Sequence, residues 1–260
     1  MVIELSIEGR LARLHIRRAE KKNAVTEAMW RHLSSCCEQL NAACMSNDPN
    51  APRVLLLQGE PGAFCAGADI EELSRVVLNP EAMAANLAVV AQAQLALENL
   101  SLPTLAVIDG PCFGGGFGLA AACDFRVASV RASFAITPAK LGLLYSLEDT
   151  RRVLRLVGDA RTRRLLLQSE TLDATTALAW GVVDSLHEAD ALAAAAMQRA
   201  QALAQASRTS MAGIKATLAC LSTPSTSQET AVRQAFAAAF QGADFAEGAK
   251  AFLQRRGPNF

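Results

Sequence analysis

The chain has 260 residues, with 25 basic and 25 acidic side chains. This length is sufficient for one large core, and the balanced charge gives no sign of a nucleic-acid surface. Seven cysteines without framework spacing indicate reduced, buried thiols. No apolar run reaches the ~18–20 residues of a membrane span, and the first residues lack the features of a signal peptide. We therefore expect a cytoplasmic protein that binds neither nucleic acid nor membrane.

The predicted elements begin with a β-hairpin. Val2–Ile7 and Leu11–Ile16 alternate between apolar and polar residues around the turn Gly9-Arg10. A helix begins at Thr26, and its apolar residues share one face: Ala28, Trp30, Leu33, Cys37 and Leu40. Strands near 53–58, 104–108, 124–128 and 133–136 then alternate with helices near 82–99, 115–122 and 148–157. This alternation predicts an α/β fold with a largely parallel sheet.

The last part of the chain has a different pattern. From Glu188 onward no strand is predicted, and alanine-rich helices continue to the end. One helix carries an apolar stripe: Ala231, Ala235, Phe236, Ala239 and Phe240. The stripe is too broad for an isolated terminal helix, so it predicts either a partner surface or packing within the chain.

A glycine-rich run, Asp109–Gly118, lies between a predicted strand and a predicted helix. Glycines there let a ligand approach the unpaired N–H groups of the first helical turn, which attract negative charge. The run lacks the Lys-Ser/Thr of a phosphate-binding P-loop, and Leu119 occupies the third glycine position of a dinucleotide fingerprint. The open alternatives are a site for a transient oxyanion and a tight packing turn.

A second small-residue turn, Gly59–Ile70, follows the strand 53–58 and precedes a helix at Glu71. Two strand-turn-helix units can present two backbone N–H donors to one oxygen, which is the arrangement of an oxyanion hole. The pair of turns therefore favours the oxyanion interpretation over simple packing.

These two turns carry a resemblance to a known family. Phe64-Cys-Ala-Gly-Ala-Asp-Ile70 and Val107–Asp124, with its Gly-Gly-Gly-Phe-Gly, resemble the crotonase (enoyl-CoA hydratase/isomerase) superfamily. Three further segments match the family. Its early coenzyme A motif resembles Lys22-Asn-Ala24, its late turn resembles Ala179–Asp184, and its C-terminal helix resembles Gly248–Phe260. The resemblance covers essentially the whole chain.

The resemblance implies a fold and an assembly. The fold is α/β, a crotonase (ClpP-like) spiral of repeated ββα units over residues 1–200, followed by a helical oligomerisation region over 201–260. The implied assembly is a homotrimer or a dimer of trimers. No metal is expected, and no cofactor besides the coenzyme A of an acyl-CoA thioester substrate.

The resemblance also implies the residues of the site. By position, the backbone N–H groups of Ala66 and Gly115 bind the thioester oxygen and stabilise the enolate. The residues expected to contact the coenzyme A thioester lie in or near these motifs and at the chain end. They are Lys22, Ala24, Ala66, Ala68, Asp69, Ile70, Phe113, Gly114, Gly115, Pro138 and Arg256. Lys22 and Arg256 are candidate partners of the phosphates.

Two departures from the family pattern bear on the reaction. The resemblance implies that family members that hydrate a double bond share two catalytic glutamates. In this chain Gly118 and Ala139 occupy those two positions. Neither residue can transfer a proton, and general acid–base groups contribute ~10²–10⁴ each. Ordinary hydration is therefore not expected, and simple isomerisation is doubtful.

The loop 137–149 offers other chemistry. Its pattern resembles the methylmalonyl-CoA decarboxylase branch, in which a tyrosine at the position of Tyr145 helps to orient the leaving carboxylate. That branch has a histidine where this chain has Ala68. Glu148 lies near the nucleophilic aspartate of the 4-chlorobenzoyl-CoA dehalogenase branch, although acids at 148 and 149 also fit a helix start.

The sequence thus predicts an acyl-CoA lyase or isomerase whose shared step is enolate stabilisation. Decarboxylation or another lyase step is favoured over hydration, with Ala66, Gly115, Tyr145 and Glu148 as catalytic candidates. The alternative is a non-catalytic acyl-CoA-binding homologue, for which the missing glutamates argue. A dinucleotide-dependent oxidoreductase is not expected, because the glycine spacing does not match a dinucleotide-binding fingerprint.

Overall fold

Two β-sheets and a set of α-helices form the protein, for which a computed structural model describes residues 3–260 except 47, 49, 223 and 224. The strands are β1 (Ile3–Glu8), β2 (Leu11–Ile16), β3 (Val54–Gly59), β4 (Thr104–Ile108), β5 (Pro111–Phe113), β6 (Phe125–Ser129), β7 (Ser133–Ala135), β8 (Thr171–Asp173) and β9 (Ser185–His187). The helices are α1 (Glu27–Met45), α2 (Ile70–Val76), α3 (Pro80–Glu98), α4 (Gly115–Ala122), α5 (Leu147–Val157), α6 (Asp159–Leu167), α7 (Ala174–Trp180), α8 (Leu192–Ala204), α9 (Arg208–Ser222), α10 (Thr226–Ala239) and α11 (Ala243–Leu253).

The larger sheet has the strand order β1-β2-β3-β4-β6-β9, and only β1 is antiparallel to its neighbour. The predicted parallel α/β fold is therefore confirmed. The β1–β2 hairpin is confirmed too, with Gly9 at a φ of 57°, although Val2 lies outside the described residues. A smaller sheet, β5-β7-β8, was only partly predicted, because its three-residue strands are too short to show alternation.

Both faces of the parallel strands are covered, as expected for buried parallel sheets. On one face lie helices α1, α3 and α4, and on the other lies α8. Helix α1 begins where predicted, because the Thr26 hydroxyl accepts a hydrogen bond from the N–H of Met29. Trp30, Leu33 and Leu40 point into the core as predicted, whereas Ala28 is exposed.

Helices follow β9 through the rest of the described chain, as the sequence predicts. Helix α8 buries Leu192, Ala196 and Ala200 against the sheet and continues to Ala204, so the predicted boundary between residues 200 and 201 falls within it. On α10 and α11, three exposed phenylalanines stack edge to face: Phe236, Phe240 and Phe245.

Other composition-based expectations can be compared with the fold. All seven cysteines are free and buried. Burial raises the pKa of the Cys37, Cys65 and Cys123 thiols to about 12, which keeps them protonated. Within the described ranges, no group of three or more His, Cys, Asp or Glu side chains could hold a metal ion, and no helix has both the length and the apolarity needed to cross a bilayer.

Candidate active site

The two predicted turns lie side by side. The first connects β3 to α2, and the second connects β5 to α4. The N–H of Cys65 donates to the carbonyl of Pro111 at 3.1 Å, and the N–H of Phe113 donates to the carbonyl of Cys65 at 2.9 Å. These bonds form a short parallel bridge between Cys65 and Cys112. The resulting ladder fixes the first turn against the start of α4.

Glycines make this close approach possible. A β-carbon on Gly116 would lie 2.2 Å from the carbonyl oxygen of Cys65. A β-carbon on Gly67, where φ is 104°, would lie 2.9 Å from the carbonyl oxygen of Phe113. Both spacings are shorter than van der Waals contact, so any side chain at either position would push the two turns apart.

Where the turns meet, the backbone N–H groups of Gly115 and Ala68 have no acceptor among the described residues. Gly115 is the first residue of α4, and its N–H has no acceptor within the helix. The N–H of Ala68 likewise has no acceptor among the described residues. A β-carbon on Gly115 would lie 3.7 Å from the Ala68 nitrogen and 3.4 Å from Cζ2 of the buried Trp30 ring. The arrangement leaves a small space that is bordered by two donors and an aromatic wall.

The structure does not leave Ala66 free for the role predicted from the family pattern. The N–H of Ala66 donates to the carbonyl of Lys22 at 3.0 Å. Val25 pairs with the same segment from the other direction, because its N–H donates to the carbonyl of Gly67 and its carbonyl accepts from Asp69. The available donor is therefore Ala68. The prediction of Ala66 as the donor is therefore wrong, and the donor lies two residues further along the chain. For Ala68 the sequence had predicted only a contact with coenzyme A.

A buried asparagine holds the Lys22–Ala24 segment in place. Asn23 is fully buried, and its Nδ2 donates to the carbonyls of Glu60 and Ala63 at 3.1 and 2.7 Å. Its Oδ1 accepts from the N–H of Arg18. The segment therefore supports the first turn directly, and the carbonyl of Lys22 is positioned to engage Ala66.

Asp69, which was predicted to contact coenzyme A, holds the first turn. Its carboxylate accepts from the N–H of Glu72, which caps α2, and pairs with Arg18 at 2.6 Å. The Glu72 hydrogen bond and then Arg18 hold the pKa of Asp69 below its ordinary value, against the effect of burial. Arg18 could not be predicted as a site residue, because nothing in the local sequence pattern separates it from the exposed basic residues beside it.

The remaining predicted coenzyme A contacts lie at different depths. Ala24 is buried, Phe113 and Pro138 are half-buried, and Lys22 and Ile70 are exposed. Arg256 is exposed and pairs at 2.6 Å with Glu247, whose pKa it helps to lower to about 2. Contact of these residues with coenzyme A stays a prediction.

Tyr145 lies beside the second turn. Its hydroxyl donates to the carbonyl of Gly114 at 3.0 Å, one residue before the Gly115 donor. Burial, and then the nearby Asp149, raise the pKa of the phenol well above its ordinary value, so the group stays protonated at neutral pH. Gly114 has a φ of 50° and a ψ of −114°, a conformation that glycine permits.

Glu148 and Asp149 point in different directions from the start of α5. Glu148 lines a polar groove of about 460 Å³ together with Arg151 and Lys215. Asp149 is buried and pairs with Arg152 at 2.9 Å. The structure therefore does not support Glu148 as the group that meets α4; its neighbour does so.

Gly118, the position of one missing glutamate, faces polar groups from α3 and α5. A β-carbon there would lie 2.4 Å from Nε2 of Gln94 and 2.6 Å from Oδ1 of Asp149. Ala139, at the other position, is exposed on a 3-10 turn. Gln94 was not predicted as a site residue, because it lies in a largely apolar helix that the sequence marks only as core.

Two strand-turn-helix units that lie side by side on a parallel sheet define an α/β protein of the crotonase fold. The chain belongs to the enoyl-CoA hydratase/isomerase family, whose model matches residues 6–260. An enoyl-CoA hydratase/isomerase family protein from Hyphomonas neptunium has a similar structure, with a TM-score of 0.92 and 35% identity over 100% of this chain and 97% of that one. The predicted family and fold are thus confirmed.

Curated relatives are named as hydratases or as an isomerase/hydratase. A mevalonyl-coenzyme A hydratase of Aspergillus fumigatus is 29% identical over 95% of this chain and 90% of that protein. A methylglutaconyl-CoA hydratase of Mus musculus is 31% identical over 74% of this chain. The chain spans only 59% of the length of that hydratase and 61% of an enoyl-CoA isomerase/hydratase of Mycosarcoma maydis.

Proposed function

We propose that the protein is an acyl-CoA enzyme that stabilises a thioester enolate between the N–H groups of Ala68 and Gly115. The observation that supports this proposal is that these two N–H groups lie close together with no acceptor among the described residues. An enolate oxygen carries more charge than a ground-state carbonyl, so fixed donors lower the energy of the transition state more than that of the substrate. Coenzyme A is proposed to extend past Ala24 and Ile70, with Lys22 and Arg256 near its phosphates.

Decarboxylation of a 2-carboxyacyl-CoA is the reaction we favour. Its carbon–carbon bond breaks, carbon dioxide leaves, and the electron pair remains as the enolate, so no protein base is needed to form that intermediate. Neither Gly118 nor Ala139 supplies such a base. Hydration is the second candidate, which is favoured by the hydratase names of the relatives.

The direct test is incubation with methylmalonyl-CoA, malonyl-CoA and crotonyl-CoA, followed by mass spectrometry of the products. We expect loss of carbon dioxide from a carboxylated substrate and at most slow hydration of crotonyl-CoA. Efficient hydration would replace decarboxylation by the second candidate. Binding of all three esters without turnover would support a non-catalytic acyl-CoA-binding homologue.

Tyr145→Phe tests whether the phenol orients the leaving carboxylate. Its hydroxyl can rotate from the Gly114 carbonyl to a substrate carboxylate, and a hydrogen bond to a charged group contributes about 1.5–3 kcal/mol. We therefore expect decarboxylation to fall roughly 10- to 100-fold. Deuterium exchange into butyryl-CoA, which has no carboxylate, should fall much less. Equal losses in the two assays would show that Tyr145 only supports the turn.

We also propose that the chain assembles as a homotrimer or a dimer of trimers. The support is the exposed aromatic surface of Phe236, Phe240 and Phe245 on α10 and α11. Light scattering coupled to gel filtration should give a mass of three or six times 27.5 kDa. A monomer mass would contradict the proposal.

A further inference from the structure

A cluster of polar side chains lies directly behind Gly118. We call it the Gly118 cluster, and its members are Gln94 from α3, and Asp149 and Arg152 from α5. Arg152 Nη1 donates to Asp149 Oδ1 at 2.9 Å and to Gln94 Oε1 at 3.3 Å. All three side chains are buried, so this polar contact is held away from bulk water.

The cluster presents an unused donor toward α4. Gln94 is 1% exposed, and its Nε2 has no hydrogen-bond partner of good geometry in the part of the chain that the structure describes. Nε2 is the atom nearest to where a β-carbon on Gly118 would be, at 2.4 Å, and Asp149 Oδ1 is next, at 2.6 Å. A buried amide donor is costly unless it is near an acceptor, so Gln94 favours the charged form of the neighbouring Asp149 carboxyl.

Asp149 has the chemical character of a proton carrier. Burial is the largest effect on its carboxyl and raises its pKa above the ordinary value, although Arg152 opposes this. The groups that face it are Arg152 from its own helix, the protonated Tyr145, and the neutral Gln94. Glu98 from α3 also pairs with Arg152, at 2.7 Å.

The cluster lies close to the proposed oxyanion donors. Gly118 follows Gly115 by one helical turn of α4, roughly 4.5 Å along the axis at 1.5 Å per residue. The α-carbon of a thioester lies next to the carbonyl carbon whose oxygen the donors hold. Asp149 Oδ1 lies only 2.6 Å from where a β-carbon on Gly118 would be, so its carboxyl occupies the place at which a side chain of residue 118 would begin.

We propose that the Asp149 carboxyl, positioned by Arg152 and Gln94, carries the proton to and from the α-carbon of the enolate held at Ala68 and Gly115. This inference rests on the proposed function. In one direction the carboxylate takes the proton, the C–H bond breaks, and its electron pair becomes the enolate. In the other direction the carboxyl returns a proton to the α-carbon, which also completes a decarboxylation. Asp149 on α5 thereby supplies the carboxyl group that the side chain of residue 118 does not provide.

Deuterium exchange separates this step from the rest of the reaction. The protein is incubated with butyryl-CoA in D₂O, and deuterium at the α-carbon is followed by mass spectrometry. Wild-type protein should catalyse exchange, and Asp149→Asn should lower the rate by about 10²–10⁴ while the affinity for butyryl-CoA is retained. The wild-type rate should rise as pH increases through a pKa above the ordinary aspartate value, and this limb should vanish in the variant.

Glu98→Gln is the control for a merely structural role. It removes the other anionic partner of Arg152 and leaves the Asp149 carboxyl in place. We expect its exchange rate to stay within about tenfold of wild type, even where its melting temperature falls as far as that of Asp149→Asn. Equal exchange losses in the two variants would overturn the inference in favour of a structural ion-pair network.

Other outcomes distinguish the two proposals. Undiminished exchange in Asp149→Asn, with exchange abolished in Gly115→Pro, would overturn the role of Asp149 and retain the oxyanion site. The role of Asp149 would also be overturned if the exchange rate of the wild-type protein did not rise with pH as predicted, and this test needs no variant. No exchange at all by wild-type protein that binds butyryl-CoA would contradict the enolate function itself, and Asp149 with it.

Discussion

Replacing Gly115 by proline is expected to lower kcat for decarboxylation of the carboxylated substrate by about 10²–10³, because one of two oxyanion donors is lost. Proline lacks the N–H but is tolerated at the first position of a helix, which Gly115 occupies in α4. The hydrogen-bonding ladder of the helix should therefore survive. Steady-state kinetics and far-ultraviolet circular dichroism on the same sample measure the two effects separately.

Ala243→Pro is the matched control for this variant. Ala243 is the exposed first residue of α11, and it follows Gly242 in an extended conformation that suits a residue before proline. The substitution removes an equivalent N–H from a helix that has no proposed role in the chemistry. We expect near-wild-type turnover. An equal loss of activity in both variants would mean that proline acts on folding and not on the oxyanion.

Gly116→Ala is expected to have the largest effect on stability. Its β-carbon would lie 2.2 Å from the Cys65 carbonyl oxygen and 2.8 Å from the Cys65 β-carbon. The backbone of the first turn must move to relieve that overlap, which breaks the ladder between Cys65 and Phe113. Overpacking in a core costs about 1–3 kcal/mol or more, so the free energy of unfolding should fall by at least that amount.

Gly213→Ala provides the comparison. A β-carbon at Gly213, in the middle of α9, would meet nothing within 4 Å. Alanine should therefore stabilise the protein by roughly 0.5–1 kcal/mol relative to glycine. Urea denaturation of both variants measures the difference. If Gly116→Ala unfolded at the same urea concentration as wild type, the close contact between the turns would be disproved.

The parallel sheet could be predicted because its strands are long and almost entirely apolar. β3 and β4, buried on both faces, read as continuous apolar runs between small-residue turns. The alternating pattern of β1 and β2 similarly fixed the hairpin. In contrast, β5, β8 and β9 have three residues each, and their pairing depends on distant segments that no local pattern reveals.

The choice between Ala66 and Ala68 could not be made from composition. In a regular extended segment, residues two apart point their N–H groups to the same side, so Ala66 and Ala68 would be equivalent. Gly67 lies between them at a φ of 104°, which interrupts the extended conformation. Lys22 engages Ala66, whereas the Val25 pairing leaves Ala68 open. A local sequence reading places both alanines in the same turn, but it does not show which strand each one faces.

The difference between Glu148 and Asp149 has a similar origin. Both acids begin α5, and the sequence does not fix the rotation of that helix about its axis. The structure turns Asp149 toward Gly118 and Glu148 into a groove with Lys215. Gln94 lies beside Asp149 at Gly118 although it is more than 50 residues upstream in the sequence. At that separation only the tertiary fold brings two side chains together.

The most direct measurement is a crystal structure of the protein with bound butyryl-CoA. We predict that the thioester oxygen lies about 2.7–3.1 Å from the backbone nitrogens of both Ala68 and Gly115. Asp149 should then be the carboxyl nearest to the α-carbon of the thioester, beside Gly118. A thioester oxygen bound elsewhere, with the Ala68 and Gly115 nitrogens left unpaired, would contradict the proposed function.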